Sequence, residues 1–180
     1  MARCKVLILQ NEIPEEINED VARRARQFGV TTMLNAAPAR AFETALPDFV
    51  DILVVNAIEA EMLGAQSVGS LAEAEAAAEF LAARFAAVVV TAGGDGVAFQ
   101  DRAGQKISLP SLPVKVESTH GAGDMFVGTF AARLASGDSV QAALGGANEQ
   151  AAKLVSTPEK ERSSIQVGVS ASAGPAASAA

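Results

Sequence analysis

The chain has few of the cysteine and histidine residues that zinc centres and disulfide-stabilised folds require. Its 180 residues include one cysteine, Cys4, and one histidine, His120. A single cysteine cannot form a disulfide within the chain, and one cysteine with one histidine cannot build a zinc site. This cysteine usage is typical of a reducing compartment, so we expect a cytoplasmic protein.

Positive charge and long apolar runs are also scarce. The 14 Lys and Arg residues against 21 Asp and Glu residues give a net charge of −7, which argues against nucleic acid as a partner because that binding needs clustered cations. No apolar run approaches the roughly 18 residues that a membrane helix needs, and the apolar residues 6–9 are fewer than the about 7–15 of a signal sequence. We therefore expect a soluble protein with no membrane partner and, since no repeat is visible, one globular domain.

Short apolar runs alternate along the chain with longer helical patterns. This alternation is typical of βαβ units and a parallel sheet. Residues 97–100 and 105–109 predict a hairpin, which adds an antiparallel edge. We therefore predict an α/β fold, a Rossmann-like sandwich with a mostly parallel sheet flanked by helices. The predicted strands are residues 5–10, 31–35, 52–55 and 87–90, and the predicted helices are residues 15–28, 57–63, 70–85 and 139–155.

The composition changes near the C-terminus. Residues 159–162 form a charge run, and residues 170–180 contain only Ser, Ala, Gly and Pro. Such low-complexity sequence cannot bury enough apolar surface to fold. We expect one domain over residues 1–165 and a disordered tail over residues 166–180.

The most informative stretch is residues 118–124, Ser-Thr-His-Gly-Ala-Gly-Asp. Val114 and Val116 predict a strand end before it, and apolar residues at helical spacing from Met125 predict a helix that begins within it. Glycines and unpaired N–H groups at a helix N-terminus favour an anion such as phosphate. Asp124 beside that anion suits a base that takes a proton from an attacking hydroxyl. The pattern indicates phosphoryl transfer, although ordinary turn and helix-capping chemistry uses the same residues.

Five segments in this order match motifs of one enzyme family. They are Gln-Asn-Glu-Ile-Pro at residues 10–14, Asn-Ala-Ala-Pro-Ala at 35–39, Asn-Ala-Ile-Glu at 56–59, Thr-Ala-Gly-Gly-Asp-Gly at 91–96 and the motif at 118–124. With them, the chain resembles the ribokinase-like (PfkB-type) carbohydrate kinases over nearly its full length. The resemblance implies a ribokinase-type sandwich that transfers phosphate from ATP to a sugar hydroxyl with the help of Mg²⁺.

The resemblance also implies roles for single residues in catalysis. Asp124 matches the base that deprotonates the sugar hydroxyl, and it also contacts the substrate. Gly121, Ala122 and Gly123 match the backbone N–H groups that form an anion hole for the transferred phosphoryl group.

Further matched positions concern ATP and the metal ion. Asn56 and Glu59 match residues near the phosphates and a Mg²⁺ held through water. A helix-capping pair has the same spacing, and both roles are compatible. For the matched nucleotide-binding positions, the structural alternative is a strand-end turn or an exposed helix residue. The matched nucleotide-binding positions are Thr91, Gly93, Gly94, Gly96 and, on the adenine side, Asn148.

Two strand-end residues match the sugar side of the family site. Glu12 matches a carboxylate that binds sugar hydroxyls, and Asn35 lies at another strand end facing the same crevice. His120 suits a simple loop residue, but pyridoxal and hydroxymethylpyrimidine kinases of the same superfamily also carry His there. That substrate class therefore stays open beside sugars.

The sequence departs from the family pattern around the expected cation site. Ser118 stands where the family usually has Asp, and residues 159–163 read Glu-Lys-Glu-Arg-Ser where a Gly-Ala-x-x-Ser segment is expected. Both changes argue against a monovalent cation (K⁺) at the site that the resemblance places near Ser118 and His120. Ala57 also replaces a common Glu, while Glu59 remains.

The chain resembles only the C-terminal portion of the family. The N-terminal portion supplies further sugar-orienting residues and a β-sheet lid that excludes water, on which phosphoryl transfer depends. We therefore expect weak kinase activity from this chain alone, with a homodimer or a complementing N-terminal chain as a partner. The alternatives are a nucleotide-binding module without catalysis and a structural remnant that neither binds nor folds cleanly.

Overall fold

The structure is a computed structural model that describes residues 4–164. The tail predicted over residues 166–180 lies outside the described residues. Short 3₁₀ turns lie at Leu46–Phe49, Gly93–Asp95 and Glu159–Ser164. The strands are β1 (Val6–Gln10), β2 (Thr31–Asn35), β3 (Ile52–Asn56), β4 (Ala87–Thr91), β5 (Val97–Asp101) and β6 (Lys106–Leu109). The helices are α1 (Glu15–Gln27), α2 (Ala57–Met62), α3 (Leu71–Ala82), α4 (Ala122–Ser136) and α5 (Val140–Val155).

All six strands form one sheet in the order of the chain. Strands β1 to β4 are parallel, and β5 and β6 continue the sheet as an antiparallel hairpin beside β4. The predicted α/β class, with a mostly parallel sheet and an antiparallel edge, is therefore confirmed. Because β1 and β6 end the sheet, each has one strand neighbour within the described residues.

Alternate residues of the strands face two separate cores, as the period of two in a strand requires. Leu34 and Leu53 belong to a core that packs against α1, α2 and α3. Met33 and Val54, their neighbours in sequence, belong to a second core that packs against α4 and α5. The molecule therefore has three layers, and the sheet is covered by helices on both faces.

The strand predicted to end at Val114 and Val116 is wrong. β6 ends at Leu109, and residues 110–119 contain neither helix nor strand. Pro110 and Pro113 interrupt the apolar alternation, and each lacks the N–H group that a strand ladder needs. The apolar side chains of this loop instead line a cleft described below.

Candidate active site

The site lies at the carboxyl edge of the parallel strands. Asn35 pairs with Gln10 at the ends of β2 and β1, and Asn56 pairs with Thr91 at the ends of β3 and β4. Side chains that end neighbouring parallel strands converge on one crevice, where ligands of open α/β sheets bind.

Helix α4 begins at this same edge and leaves backbone N–H groups unpaired. Gly121 precedes it with φ of +78°, a left-handed conformation that favours glycine. The N–H of Ala122 donates to Thr119 O at 3.2 Å, and the N–H of Met125 donates to Gly121 O at 2.9 Å. Within residues 4–164, no partner accepts from the N–H groups of Gly123 and Asp124. Two unpaired donors therefore stand at the positive end of the helix dipole, an arrangement that favours an anion.

A cleft of about 180 Å³ brings together all four predicted catalytic residues. Asp124 is exposed there, and no hydrogen bond engages its carboxylate among the residues that the structure describes. A carboxylate in that state is accessible to a ligand hydroxyl. The predicted residues that line this cleft, which we call the acceptor cleft, are Asn35, Asn56, Glu59, Thr91, Gly121, Ala122, Gly123 and Asp124.

A second cleft of about 400 Å³ also borders the α4 N-terminus. All five residues predicted to bind the nucleotide line it: Thr91, Gly93, Gly94, Gly96 and Asn148. Its walls are largely apolar and come from the loop after β6 and from α5, including Leu112, Val114, Val116 and Val155. An apolar cleft with a few polar groups is the usual form of a small-molecule site, and we call it the nucleotide cleft.

The two clefts adjoin at the first turn of α4. Thr119, Ala122 and Gly123 line both of them, together with Thr91 and Phe126. One elongated ligand, or two ligands in contact, can therefore meet at the unpaired N–H groups of Gly123 and Asp124.

Asn56 and Glu59 are engaged with each other at the start of α2. Asn56 Oδ1 accepts from the Glu59 N–H, and Glu59 Oε2 accepts from the Asn56 N–H, both at 2.8 Å. Burial raises the pKa of Glu59, and the hydrogen bond from the Asn56 N–H opposes that rise without cancelling it. The helix-capping role predicted for this pair is therefore present in the structure, and both residues still line the acceptor cleft.

Glycines of the nucleotide loop differ in what surrounds them. At Gly96, with φ of +125°, an added Cβ would lie 2.2 Å from Leu109 O, so this glycine serves the contact between the loop and β6. At Gly93 and Gly94 no atom lies within 4 Å of an added Cβ. Asn148 donates from Nδ2 to Pro110 O at 2.8 Å and thereby ties α5 to the loop after β6. Gly93 and Gly94 leave the space in which a ligand can approach the backbone.

Glu12 lies apart from these clefts. Its side chain is exposed in the turn after β1, and it lines neither the acceptor cleft nor the nucleotide cleft. Asn35, the other residue predicted on the sugar side, is 9% exposed and lines the acceptor cleft.

Some contributors to the site escaped the sequence analysis. Thr119 lay inside the recognised motif, so its position could have indicated a cleft residue. Phe126 gave no signal other than that of a core residue on α4. Arg162 entered the sequence analysis only within the charge run and within the altered segment at residues 159–163, although its guanidinium contacts the loop before α4. Within residues 4–164, no cluster of three or more His, Cys, Asp or Glu side chains could hold a metal ion directly, and no helix is long and apolar enough to cross a membrane.

A three-layer α/β domain with paired clefts at the carboxyl edge of its strands is the class that the fold and the site define. Within that class, the chain belongs to the pfkB family of carbohydrate kinases, whose sequence profile matches residues 2–165. The family resemblance inferred from the five motifs is thereby confirmed.

Individual relatives agree with this assignment. The chain is 36% identical over 154 residues to the ribokinase of Bacillus subtilis, covering 85% of this chain and 49% of that protein. It is 30% identical over 146 residues to a deoxyribokinase of Salmonella typhi, covering 80% and 47% respectively. The chain spans about half the length of the curated relatives it matches.

Solved structures show the same fold. The ribokinase of Thermotoga maritima superposes with a TM-score of 0.73 at 32% identity, covering 85% of this chain and 50% of that one. The Arabidopsis thaliana ribokinase complexed with ribose and ATP superposes with a TM-score of 0.74 at 28% identity, with the same coverage of 85% and 50%.

Proposed function

We propose that the chain forms the nucleotide-binding and catalytic portion of an ATP-dependent sugar kinase. The observation that carries this proposal is the junction of the nucleotide cleft and the acceptor cleft at the first turn of α4. A kinase must bring a phosphate donor and a hydroxyl into contact at a point where negative charge is stabilised. The unpaired N–H groups of Gly123 and Asp124 supply that point.

Asp124 is the proposed general base. It takes the proton of the attacking hydroxyl while the hydroxyl oxygen forms a bond to the γ-phosphorus and the bond to ADP breaks. The backbone of Gly121, Ala122 and Gly123 binds the oxygens of the transferred phosphoryl group. The Ala122 N–H is partly engaged with Thr119 O, so the larger share of this role falls to the N–H of Gly123 and that of Asp124 itself.

ATP fits the nucleotide cleft in size and chemistry. The open space beside Gly93 and Gly94 admits phosphates close to the backbone, and the apolar walls suit a flat adenine ring. Thr91 ends β4 between the two clefts, Gly96 shapes the loop, and Asn148 holds the adenine side of the cleft through Pro110.

The proposed Mg²⁺ is held through water near Asn56 and Glu59. Asn56 Oδ1 and Glu59 Oε2 each already accept one hydrogen bond in the capping box. A hydrated ion suits contacts through water because Mg²⁺ keeps several of its waters. When bound, it would neutralise phosphate charge, and Asn56 and Glu59 would hold it through its waters.

The proposed acceptor is a sugar hydroxyl in the acceptor cleft beside Asn35 and Asp124. Relatives named ribokinase and deoxyribokinase make ribose and deoxyribose the first acceptors to test. Glu12 would join the sugar only from the rim of the crevice. A homodimer or a complementing N-terminal chain would complete the acceptor side.

The test is sugar-dependent ADP release by the purified chain with Mg-ATP. Ribose, deoxyribose and fructose are compared with pyridoxal, which represents the other substrate class. The Asp124→Asn variant should lose about 10²- to 10⁴-fold in turnover. The matched control Glu75→Gln changes an exposed carboxylate on α3 and should keep full activity. Sugar-dependent release that Asp124→Asn leaves intact would overturn the role of Asp124.

A second candidate function is nucleotide binding without phosphoryl transfer. The observation that favours it is the exposed position of Glu12 outside both clefts, which leaves the acceptor side with fewer polar groups. Mg-ATP binding with no ADP release for any acceptor would select this candidate.

A further inference from the structure

Arg162 reaches from the C-terminal turn Glu159–Ser164 to the loop that precedes α4. Its Nη1 donates to His120 O at 2.7 Å and its Nη2 donates to Ser118 O at 2.8 Å. Its Nε donates to Thr157 O at 3.0 Å. One guanidinium therefore gathers three backbone carbonyl oxygens from two segments that are about forty residues apart in sequence.

The end of α5 and the turn Glu159–Ser164 hold the loop at further points. The N–H groups of Glu117 and Ser118 both donate to Val155 O, at 2.8 and 3.2 Å. Ser118 Oγ donates to Glu159 Oε1 at 2.9 Å, and the His120 N–H donates to Ser118 Oγ at 3.3 Å. The residues immediately before Gly121 are thus anchored to the end of α5 and to the turn that follows it.

The family resemblance places a monovalent cation near Ser118 and His120, whose carbonyls both face Arg162. A converging set of carbonyl oxygens is the ligand set of such a hard cation. Here both carbonyls already accept short hydrogen bonds from a permanently charged guanidinium. A second cation within a few ångströms would be repelled, so this donor set does not fit an added K⁺ ion.

We propose that Arg162 is a positioning residue that takes the place of a monovalent cation beneath the anion hole. It fixes the Ser118 and His120 carbonyls, and through them the left-handed turn at Gly121 that aims the N–H groups of Gly123 and Asp124. Its importance for phosphoryl transfer rests on the proposed function. The ordering of the loop by Arg162 is independent of that function.

The consequence is a loop that is ordered without K⁺. In the unaltered chain, replacing tetramethylammonium by K⁺ should change neither the loop nor any activity. In Arg162→Ala, the three carbonyls lose their shared donor, and the emptied position becomes available to K⁺ or to added guanidinium. Arg162→Lys should act between the two, because an ammonium lacks the planar fork that reaches two carbonyls at once.

The first readout is hydrogen–deuterium exchange of the hydrogen-bonded backbone amides in and beside this loop, those of Glu117, Ser118, His120, Ala122 and Met125. Exchange in Arg162→Ala should be roughly ten- to hundredfold faster than in the unaltered chain, as expected for the loss of charge-assisted hydrogen bonds. Millimolar guanidinium or K⁺ should restore much of the protection. The matched control is Lys160→Ala, which removes an exposed cation from the same turn and should leave the exchange unchanged.

The second readout is the Mg-ATP affinity and the turnover of the same variants. We expect Arg162→Ala to lower both and K⁺ to recover them, while the unaltered chain stays insensitive to K⁺. Unchanged exchange in Arg162→Ala, or protection of the unaltered chain that requires K⁺, would overturn the proposal. If Arg162→Ala fails to fold, Arg162→Lys and the K⁺ response of the unaltered chain give the decision.

The two proposals fail in different ways. A chain that binds no nucleotide, yet shows exchange that depends on Arg162, would uphold the positioning role and reject the kinase function. A chain that is active but requires K⁺ for loop protection would do the reverse.

Discussion

Asn56 and Glu59 close a reciprocal pair of hydrogen bonds across the first turn of α2, each between one side chain and the other residue's N–H at 2.8 Å. The pair stands at the carboxyl end of β3 and lines the acceptor cleft. It satisfies two N–H groups that a helix start leaves unpaired. Glu59 thereby places a largely buried carboxylate in the wall of the acceptor cleft.

The buried carboxylate of Glu59 predicts a pH effect on stability. Burial raises its pKa above the ordinary value of 4.5, so the folded state binds the proton more tightly than the unfolded state. Stability from this group is full below that value and is lost as the pH rises through the raised pKa. Glu59→Gln keeps an acceptor for the Asn56 N–H and removes the charge. Its stability relative to the unaltered chain should therefore increase between acidic and neutral pH.

Thermal unfolding at a series of pH values checks this prediction. Glu75→Gln, an exposed substitution on α3, should show no such trend. A Glu59→Gln variant that becomes relatively less stable as the pH rises would contradict the account of Glu59.

The stability that Glu15 contributes should depend on pH in the opposite direction. Burial acts to raise its pKa, but hydrogen bonds from Thr44 and Glu43 and the charge of Arg40 outweigh burial, so the pKa lies below its ordinary value. The stability that Glu15 contributes is present above that ordinary value and is lost as the pH falls through the lowered pKa. At neutral pH, Glu15→Ala should cost about 1–3 kcal/mol, because it leaves these donors without their acceptor.

Denaturant unfolding of Glu15→Ala at neutral and acidic pH measures this cost. Glu16→Ala is the matched control, since Glu16 is the exposed neighbour on α1. The cost should shrink on acidification for Glu15 and stay small for Glu16. An equal cost at both pH values would mean that the carboxylate charge does not hold the loop at residues 43–44.

Substitution of Gly121 should destabilise the chain through backbone strain, without the loss of a side-chain contact. Its φ is +78°, and an added Cβ would meet only Leu154 Cδ2 at an ordinary 3.7 Å. Gly121→Ala should therefore destabilise by about 1–2 kcal/mol through left-handed strain and weaken Mg-ATP binding. Gly128→Ala, in an open position on the same helix, should stabilise by about 0.5–1 kcal/mol. Equal stability of the two variants would contradict the left-handed turn.

The nucleotide loop separates structural from ligand-facing glycines. An added Cβ at Gly96 would lie 2.2 Å from Leu109 O, whereas one at Gly94 meets nothing within 4 Å. Gly96→Ala should cost about 2 kcal/mol or more of stability. Gly94→Ala should unfold like the unaltered chain but bind Mg-ATP more weakly, because its methyl group enters the cleft. Normal affinity in Gly94→Ala would place the phosphates elsewhere.

Local patterns predicted most of the fold because local rules govern those elements. β2 has the bounds that its apolar run predicts, and α4 begins within the glycine motif where helical spacing starts. The prediction failed at Val114 and Val116, where apolar alternation after Pro113 indicated a strand. Those side chains are apolar because they line a cleft, a tertiary requirement that periodicity cannot distinguish from strand packing.

The motifs predicted much of the candidate site, but they did not predict contacts between residues far apart in sequence. Asn35, Asn56 and Asp124 meet because parallel strands and α4 share one edge, which the predicted topology implies. The contacts of Arg162 with His120 and Ser118 span more than forty residues and follow no periodic pattern. Glu12 is the converse case, since a matched motif did not bring its side chain into either cleft. The assigned roles, the domain boundary and the partners stay predictions.

The most direct test of the central claim is isothermal titration of Mg-ATP into the folded chain. The account predicts saturable binding at one site that Asp124→Asn retains and Gly94→Ala weakens, because the nucleotide lies in the cleft between the glycine loop and α4. Absence of binding by a chain that circular dichroism shows to be folded would contradict the account.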